Sequence, residues 1–301
     1  MKRTRNAVRN VPAVVRQDLA AVSVPRREKG DVCRMKARIK FSKCGSMRFI
    51  GHLDVMRYFQ KAFRRADISI SYSQGYSPHQ ILSFTSPLGI GLTSDAEYMD
   101  MELEECPEPE KMVDWINSQM NDEIRVKDFV LLPDEAKPSM AMLAGCDYLV
   151  ALKPGKMSDF RDRPDMEQVL ADFVAQPEIL VTKKTKRSEK QVDIKPNIYY
   201  LSSKLEAFEE QTGQAYGALC LDTEEYQPVL YCQLTAGSVL NIKPELVMQA
   251  LCRFVGTEYD PLDYQIHRLE MYGDENGKKG EIHLLHDEIP CQLVPLSSYH
   301  K

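Results

Sequence analysis

The chain has 301 residues, 43% of them apolar and 28% charged, which is ordinary globular composition and enough length for two domains. No stretch approaches the ~18 consecutive apolar residues that a membrane helix needs, so a membrane-spanning helix is excluded. The formal net charge of −5 hides two opposed regions: Lys36, Arg38, Lys40, Lys43, Arg48, Arg57, Lys61, Arg64 and Arg65 face Asp54 alone, whereas eleven Asp and Glu residues between Asp95 and Glu123 face only Lys111. Local patches, more than the overall charge, therefore bear on partners.

Residues 1–34 are Arg-rich and show little periodicity. Two readings stand: a basic flexible arm that meets nucleic acid, or a start assigned upstream of a true initiator at Met35; either way the segment is set apart from the fold. Residues 38–42 alternate like a strand, and Lys43-Cys44-Gly45-Ser46 reads as a turn. The spacing then predicts a helix over 52–66. Val55, Met56, Phe59, Ala62, Phe63 and Ala66 fall on one side, with Arg57, Lys61, Arg64 and Arg65 opposite. Strands are expected at 68–72, 80–84 and 98–103, with a Gly/Pro-punctuated loop over 73–79. A helix with an acidic start is expected over 109–121 and a strand over 124–132.

The second half repeats the rhythm. Strands are expected at 148–152 and 179–182, then a charged hairpin over 183–190 and an extended run over 191–198. Further strands are expected at 218–222, 229–235 and 263–271, with helices over 166–175 and 244–254; Pro244 suits a first helical turn. Two successive β-α-β-β-α-β units indicate an α+β fold of two tandem ferredoxin-like (split βαβ) domains. The expected boundaries are 35–135 and 145–273, with a hairpin or tail over 274–301.

Cofactor chemistry finds no foothold in the motifs. There is no closely spaced cysteine triad for an iron–sulfur cluster, no G-x-x-x-x-G-K-[ST] loop and no G-x-G-x-x-G fingerprint. Six scattered histidines without an H-x-x-x-H pair suggest no metal site. The cysteines, Cys33, Cys44, Cys106, Cys146, Cys220, Cys232, Cys252 and Cys291, form no C-x-x-C pair and follow no secretory signal. They read as reduced, mostly buried thiols of a cytoplasmic protein.

Four constellations remain. Arg48-Phe49-Ile50-Gly51-His52-Leu53-Asp54 joins strand to helix, where free N–H groups favour an anion, or else it is a plain helix start. Tyr72-Ser73-Gln74-Gly75-Tyr76-Ser77-Pro78-His79 offers stacking and hydrogen bonds suited to an unpaired base, or else is a stiff inter-strand loop. Arg57, Lys61, Arg64 and Arg65 suit a nucleic-acid backbone, although such a face is more often merely solvated. The acidic stretch 95–123 reads as a solvated edge, with docking of a basic partner as its other use.

Residues 38–103 resemble the family of radical-SAM-linked proteins. The likeness is carried by Lys40-Phe41-Ser42-Lys43, Arg48-Phe49, His52-Leu53-Asp54, Arg64-Arg65-Ala66, Tyr72-Ser73-Gln74-Gly75-Tyr76 and Pro78-His79, and continues through Leu88-Gly89, Ser94 and Glu97-Tyr98. It is weaker at Val192-Asp193-Ile194-Lys195-Pro196 and Thr235-Ala236-Gly237-Ser238. The resemblance implies an accessory protein found fused to, or encoded beside, a radical SAM protein with a cobalamin-type region, which would itself supply the cluster. It brings no catalytic residues. The leading expectation is a substrate-binding partner of a radical SAM enzyme that binds RNA (tRNA or rRNA). Arg48, Arg57, Lys61, Arg64 and Arg65 would meet phosphates, and Gln74, Tyr76 and His79 a base. The alternatives are an RNA-processing, endonuclease-like enzyme with His52 or His79 as acid or base, and a protein–protein adaptor.

Overall fold

The computed structural model describes residues 34–160, 163–184, 189–238, 240–277, 284, 287 and 291–298. In chain order the first half runs β1 (Met35–Lys43), α1 (His52–Arg65), β2 (Leu82–Phe84), β3 (Thr93–Leu103), α2 (Met112–Asn117) and β4 (Ile124–Leu132). After a short turn of helix, α3 (Ser139–Met142), come β5 (Leu143–Leu152), α4 (Met166–Ala175), β6 (Leu180–Lys184), β7 (Glu189–Asp193), β8 (Ile198–Ser202) and α5 (Leu205–Thr212). The chain closes with β9 (Gln227–Thr235), α6 (Pro244–Val255), β10 (Tyr264–Asp274) and β11 (Leu293–Pro295). Among the described residues, no helix is long and apolar enough to cross a membrane.

The fold is α+β, built on one large, mostly antiparallel sheet in the order β4-β1-β3-β10-β5-β9-β8. The short β2 joins β3, and β11 joins β10. The β3–β10 pair is the parallel one, touching at His267↔Thr93 and Arg268↔Ser94. A separate hairpin pairs β6 with β7.

Period-two alternation decides which face of each strand is greasy. Ala37, Ile39 and Phe41 of β1 are buried and pack with Val55, Phe59 and Phe63 of α1; the Phe41 and Phe59 rings meet edge-on at 4.8 Å. The other face of β1 is polar yet also covered. There Arg38 donates to Asp100 at 2.7 Å and to the Leu296 carbonyl at 3.1 Å. On β5 both faces are apolar, as expected for a strand covered on both sides. Val150 and Leu152 join the core with α4 and α6, while Leu149 and Ala151 join a smaller cluster around Phe208 of α5.

Several expected elements are corrected. Residues 68–72 form only isolated bridges, Ile70↔Leu103 and Tyr72↔Gln80, because the loop closes on itself before a ladder can extend. The expected helix over 109–121 is a 3-10 turn (Pro109–Lys111) followed by the six-residue α2. Residues 218–222 are not a strand. Gly217 takes φ +59 just before them, and the Cys220 N–H goes to the Asp95 carboxylate rather than to a ladder. Helix α5 was not anticipated. The acidic stretch is no solvated edge at its start, since Asp95 and Glu97 are buried in β3 in the middle of the sheet. The 183–190 hairpin forms, but its tip lies outside the described residues, as do residues 1–33.

Candidate functional site

The strand-to-helix entry is tightly built. Gly45, at φ +52, sits where any side chain would collide with Glu123. That carboxylate accepts from the Ser46 N–H (3.0 Å), the Ser46 hydroxyl (2.6 Å) and the Met47 N–H (3.2 Å), and so holds the 3-10 turn Gly45–Phe49. Helix α1 then follows Gly51. Its buried residues are Val55, Phe59, Ala62 and Phe63, and Arg57, Lys61, Arg64 and Arg65 are all exposed. Arg57 lies 3.3 Å from Asp54 in a solvent-exposed pair, Arg64 donates to the Gln60 carbonyl at 3.2 Å, and Arg65 donates to the Gln119 carbonyl. These contacts cost little to exchange for a ligand, because exposed pairs contribute only about 0–1 kcal/mol.

Arg48 and His52 are engaged differently. The Arg48 guanidinium donates to the Tyr226 hydroxyl at 3.1 Å and lies over the Phe49 and Tyr226 rings. It ties the turn to the loop before β9 and does not stand free beside the helix start. His52 is half-buried, edge-on to Phe84 at 4.9 Å, and lines a small cleft with Phe41, Lys43 and Glu97.

The loop after α1 is stiff and ends in an exposed ring. The Ser73 N–H donates to the His79 carbonyl (2.8 Å), and the His79 N–H donates to the Ser73 hydroxyl (3.1 Å). The His79 Nδ1 also meets that hydroxyl at 2.8 Å, so this ring nitrogen serves loop closure. Gln74 is exposed and Tyr76 fully so, at 111% of the reference area, while Gly75 between them takes φ +118. A bare phenol on a fixed loop is an available stacking platform. The structure thus leaves α1's cations and the loop's Gln74 and Tyr76 open to solvent, and it withdraws Arg48 and, in part, His79.

A second feature lies inside the sheet, where β3 meets β10. Arg268 is buried, donates to Glu97 at 2.8 Å and lies over the Tyr148 ring. Burial pushes the Glu97 carboxyl up against the opposing pull of Arg268, and burial lowers the Lys43 ammonium, which donates to the Ile50 carbonyl at 3.0 Å. Glu270 accepts from Lys40 (2.5 Å) and from the Tyr98 hydroxyl (2.6 Å). Burial raises the Asp147 carboxyl to about 7, against hydrogen bonds from Tyr216 and Tyr272.

The densest point is Asp95. Burial would raise its carboxyl, but the bonds and charge of His267, and then of Lys127, hold it at about 2. The His267 Nε2 lies 2.9 Å from one oxygen, the Lys127 ammonium sits on the other, and the Cys220 N–H donates at 2.9 Å. Beside it, Cys44 and Cys220 are joined as a disulfide, 176 residues apart in sequence. This pair departs from the expected reduced, mostly buried thiols, while Cys106, Cys146, Cys232, Cys252 and Cys291 are free and all but Cys106 are buried. Sequence spacing held no sign of the cluster, because its members come from the turn after β1, the start of β3, β4, the loop before β9 and β10.

A family of uncharacterized proteins conserved in bacteria (DUF2344) matches residues 36–244. The chain belongs to that family. No curated protein matches it. The DUF2344 match covers most of the described chain and holds α1, the Tyr76 loop, Cys44, Asp95 and Cys220. It stops within the first turn of α6, before β10, so the strand that supplies His267 and Arg268 to the centre of the sheet lies beyond the matched stretch.

Proposed function

We propose that this DUF2344 protein is an accessory, RNA-binding partner of a radical SAM enzyme, working in the cytoplasm and presenting tRNA or rRNA to that enzyme. The partner is suggested by the sequence resemblance. The observation that carries the RNA reading is the outward face of α1, where Arg57, Lys61, Arg64 and Arg65 stand exposed on a helix anchored by Val55, Phe59 and Phe63. A cationic ridge on a rigid support suits a phosphate backbone, and Tyr76 adds a surface on which a base can stack.

We also read the sheet as two fused split-βαβ units. The pairings β4-β1-β3-β2 and β10-β5-β9-β8 support this, since in each the first and second strands of the unit flank the third.

The test is filter binding of total RNA at two salt concentrations, with the wild-type chain and a triple variant, Arg57→Glu, Lys61→Glu and Arg64→Glu. Binding that weakens with salt and is lost in the variant is expected. Retention that ignores both would sink the RNA reading. Copurification with the radical SAM protein, with and without RNase, separates an RNA-mediated association from a direct one.

A further inference from the structure

We propose that Cys44, Cys220, His267 and Asp95, with the two cysteines reduced, form a structural zinc site that pins the loop between α5 and β9 onto the sheet. The donor set is the first argument. Asp95, Cys220 and His267 each offer a ligand atom, all within 4.8 Å of one another. The Cys44 sulfur adjoins that of Cys220, and both lie against the Ser94 carbonyl, at 4.0 and 3.5 Å. Two thiolates, one imidazole and one carboxylate make a four-donor group of mixed sulfur, nitrogen and oxygen character. That combination favours tetrahedral zinc over magnesium or calcium, which take oxygen shells.

Geometry agrees. Tetrahedral zinc with nitrogen and oxygen ligands at ~2.0–2.1 Å sets those two atoms about 3.3 Å apart. The His267 Nε2 and the Asp95 carboxylate oxygen are 2.9 Å apart, a few tenths of an ångström away from that arrangement. The Cys44 and Cys220 Cα atoms are 6.1 Å apart, which lets rotation about the side chains part the sulfurs around an ion.

The surroundings are those a bound cation needs. The His267 Nδ1 lies 2.9 Å from the Thr93 hydroxyl, which itself accepts from Gln265. With an ion in place of the Nε2 proton that now meets Asp95, Nδ1–H donated to Thr93 would fix the ring with Nε2 toward the other ligands, the arrangement that orients metal-binding imidazoles. Three anionic ligands around a divalent ion leave one negative charge, and the Lys127 ammonium on the far oxygen of Asp95 balances it. His267 is fully buried and Asp95 and Cys44 nearly so, while Cys220 lies at the open edge of the group. Four protein donors leave no open position, so the site is structural rather than catalytic.

The chemistry balances. Two equivalents of a cellular thiol reduce the Cys44–Cys220 disulfide, the two thiols becoming their own disulfide while Cys44 and Cys220 each gain a hydrogen. On binding zinc, each cysteine thiol releases its proton to solvent, as does the His267 Nε2–H that meets Asp95 in the metal-free chain, and the ionised carboxylate binds as it stands.

Cobalt(II) is the probe. The full-length chain, reduced and freed of metal, is titrated with cobalt(II). The expected result is one equivalent bound, with a thiolate-to-cobalt charge-transfer band and the strong visible bands of tetrahedral cobalt, both abolished by one equivalent of zinc. Cys44→Ser and Cys220→Ser should each weaken the charge-transfer band, and the double variant should lose it. Circular dichroism identifies variants that still fold, and alkylation of the reduced wild-type chain before titration gives the same answer without a substitution. Absence of cobalt binding by the reduced wild-type chain overturns the proposal. So does a charge-transfer band that persists in a folded double variant.

Discussion

The outer face of α1 and the seam between β3 and β10 use the same residue types to opposite ends. On α1, Arg57 and Asp54 pair with more than half of each side chain in water, so the pair adds little and its arginine is free to exchange partners. In the seam, Arg268 and Glu97 pair almost out of reach of solvent. There the two charges neutralise each other inside the sheet, and removing one leaves its partner stranded. Exposed charge is available for recognition; buried charge holds the architecture.

The sharpest way to break this comparison is Arg268→Met, which leaves Glu97 buried without its hydrogen-bonded cation and with Lys43 alone as the cation acting on it. A loss of about 3–5 kcal/mol in unfolding free energy is expected from urea denaturation. Removing the other charge as well, in Arg268→Met with Glu97→Gln, should restore most of it. If the single variant is as stable as wild type, the seam is not under ionic control.

Asp147 gives the next effect. Its folded carboxyl sits at about 7, above the ordinary carboxylate value, so between pH 4 and 7 the folded chain binds more protons than the unfolded one. Stability from this group is therefore fully present below pH 4 and falls as the pH climbs to 7, by on the order of 4 kcal/mol. Asp147→Asn should remove that slope. Thermal unfolding of both proteins across this range checks it, and parallel profiles would place the proton elsewhere.

A smaller effect is expected at Tyr76. Its ring touches solvent on all sides, so Tyr76→Ala should leave stability within about 0.5 kcal/mol. If the ring stacks on a base, RNA affinity should fall by about 1–3 kcal/mol, measured by filter binding at fixed salt. His79→Ala provides the contrast. That ring is bonded to Ser73, so its loss should loosen the loop and be seen as increased proteolysis near residues 73–79.

These contrasts also explain what the sequence could show. The two-sided pattern of α1 was legible because an amphipathic helix writes its burial at a period of 3.6 residues, and Val55, Phe59 and Phe63 obey it. The buried arm of β1 was legible in the same way at period two, whereas β5 and β9 are buried almost continuously and show as apolar runs. The seam was not legible. Asp95, Glu97 and Asp100 look like part of an acidic surface until Lys127, Arg268 and Arg38 are brought to them from 32, 171 and 62 residues away. Nor does local pattern reveal that Cys220 leaves a strand-like run, Ala218–Leu-Cys-Leu-Asp222, to place its backbone N–H on Asp95. Periodicity reports which way a side chain faces, but the partner of a buried charge is set by topology.

The finest separation of the two regions comes from Lys61. It is exposed in the middle of α1's outer face, and no hydrogen bond or ion pair holds it among the described residues. Lys61→Ala replaces one good helix former with another, so the folded chain should change by no more than about 0.5 kcal/mol. If the ammonium meets a phosphate, its loss removes one released counterion, and the slope of log affinity against log salt should become shallower by about 0.7 for single-stranded RNA. A slope unchanged by Lys61→Ala but reduced by Arg64→Ala would place the RNA backbone toward the C-terminal end of the helix. Slopes unchanged by both would mean that this face is only solvated.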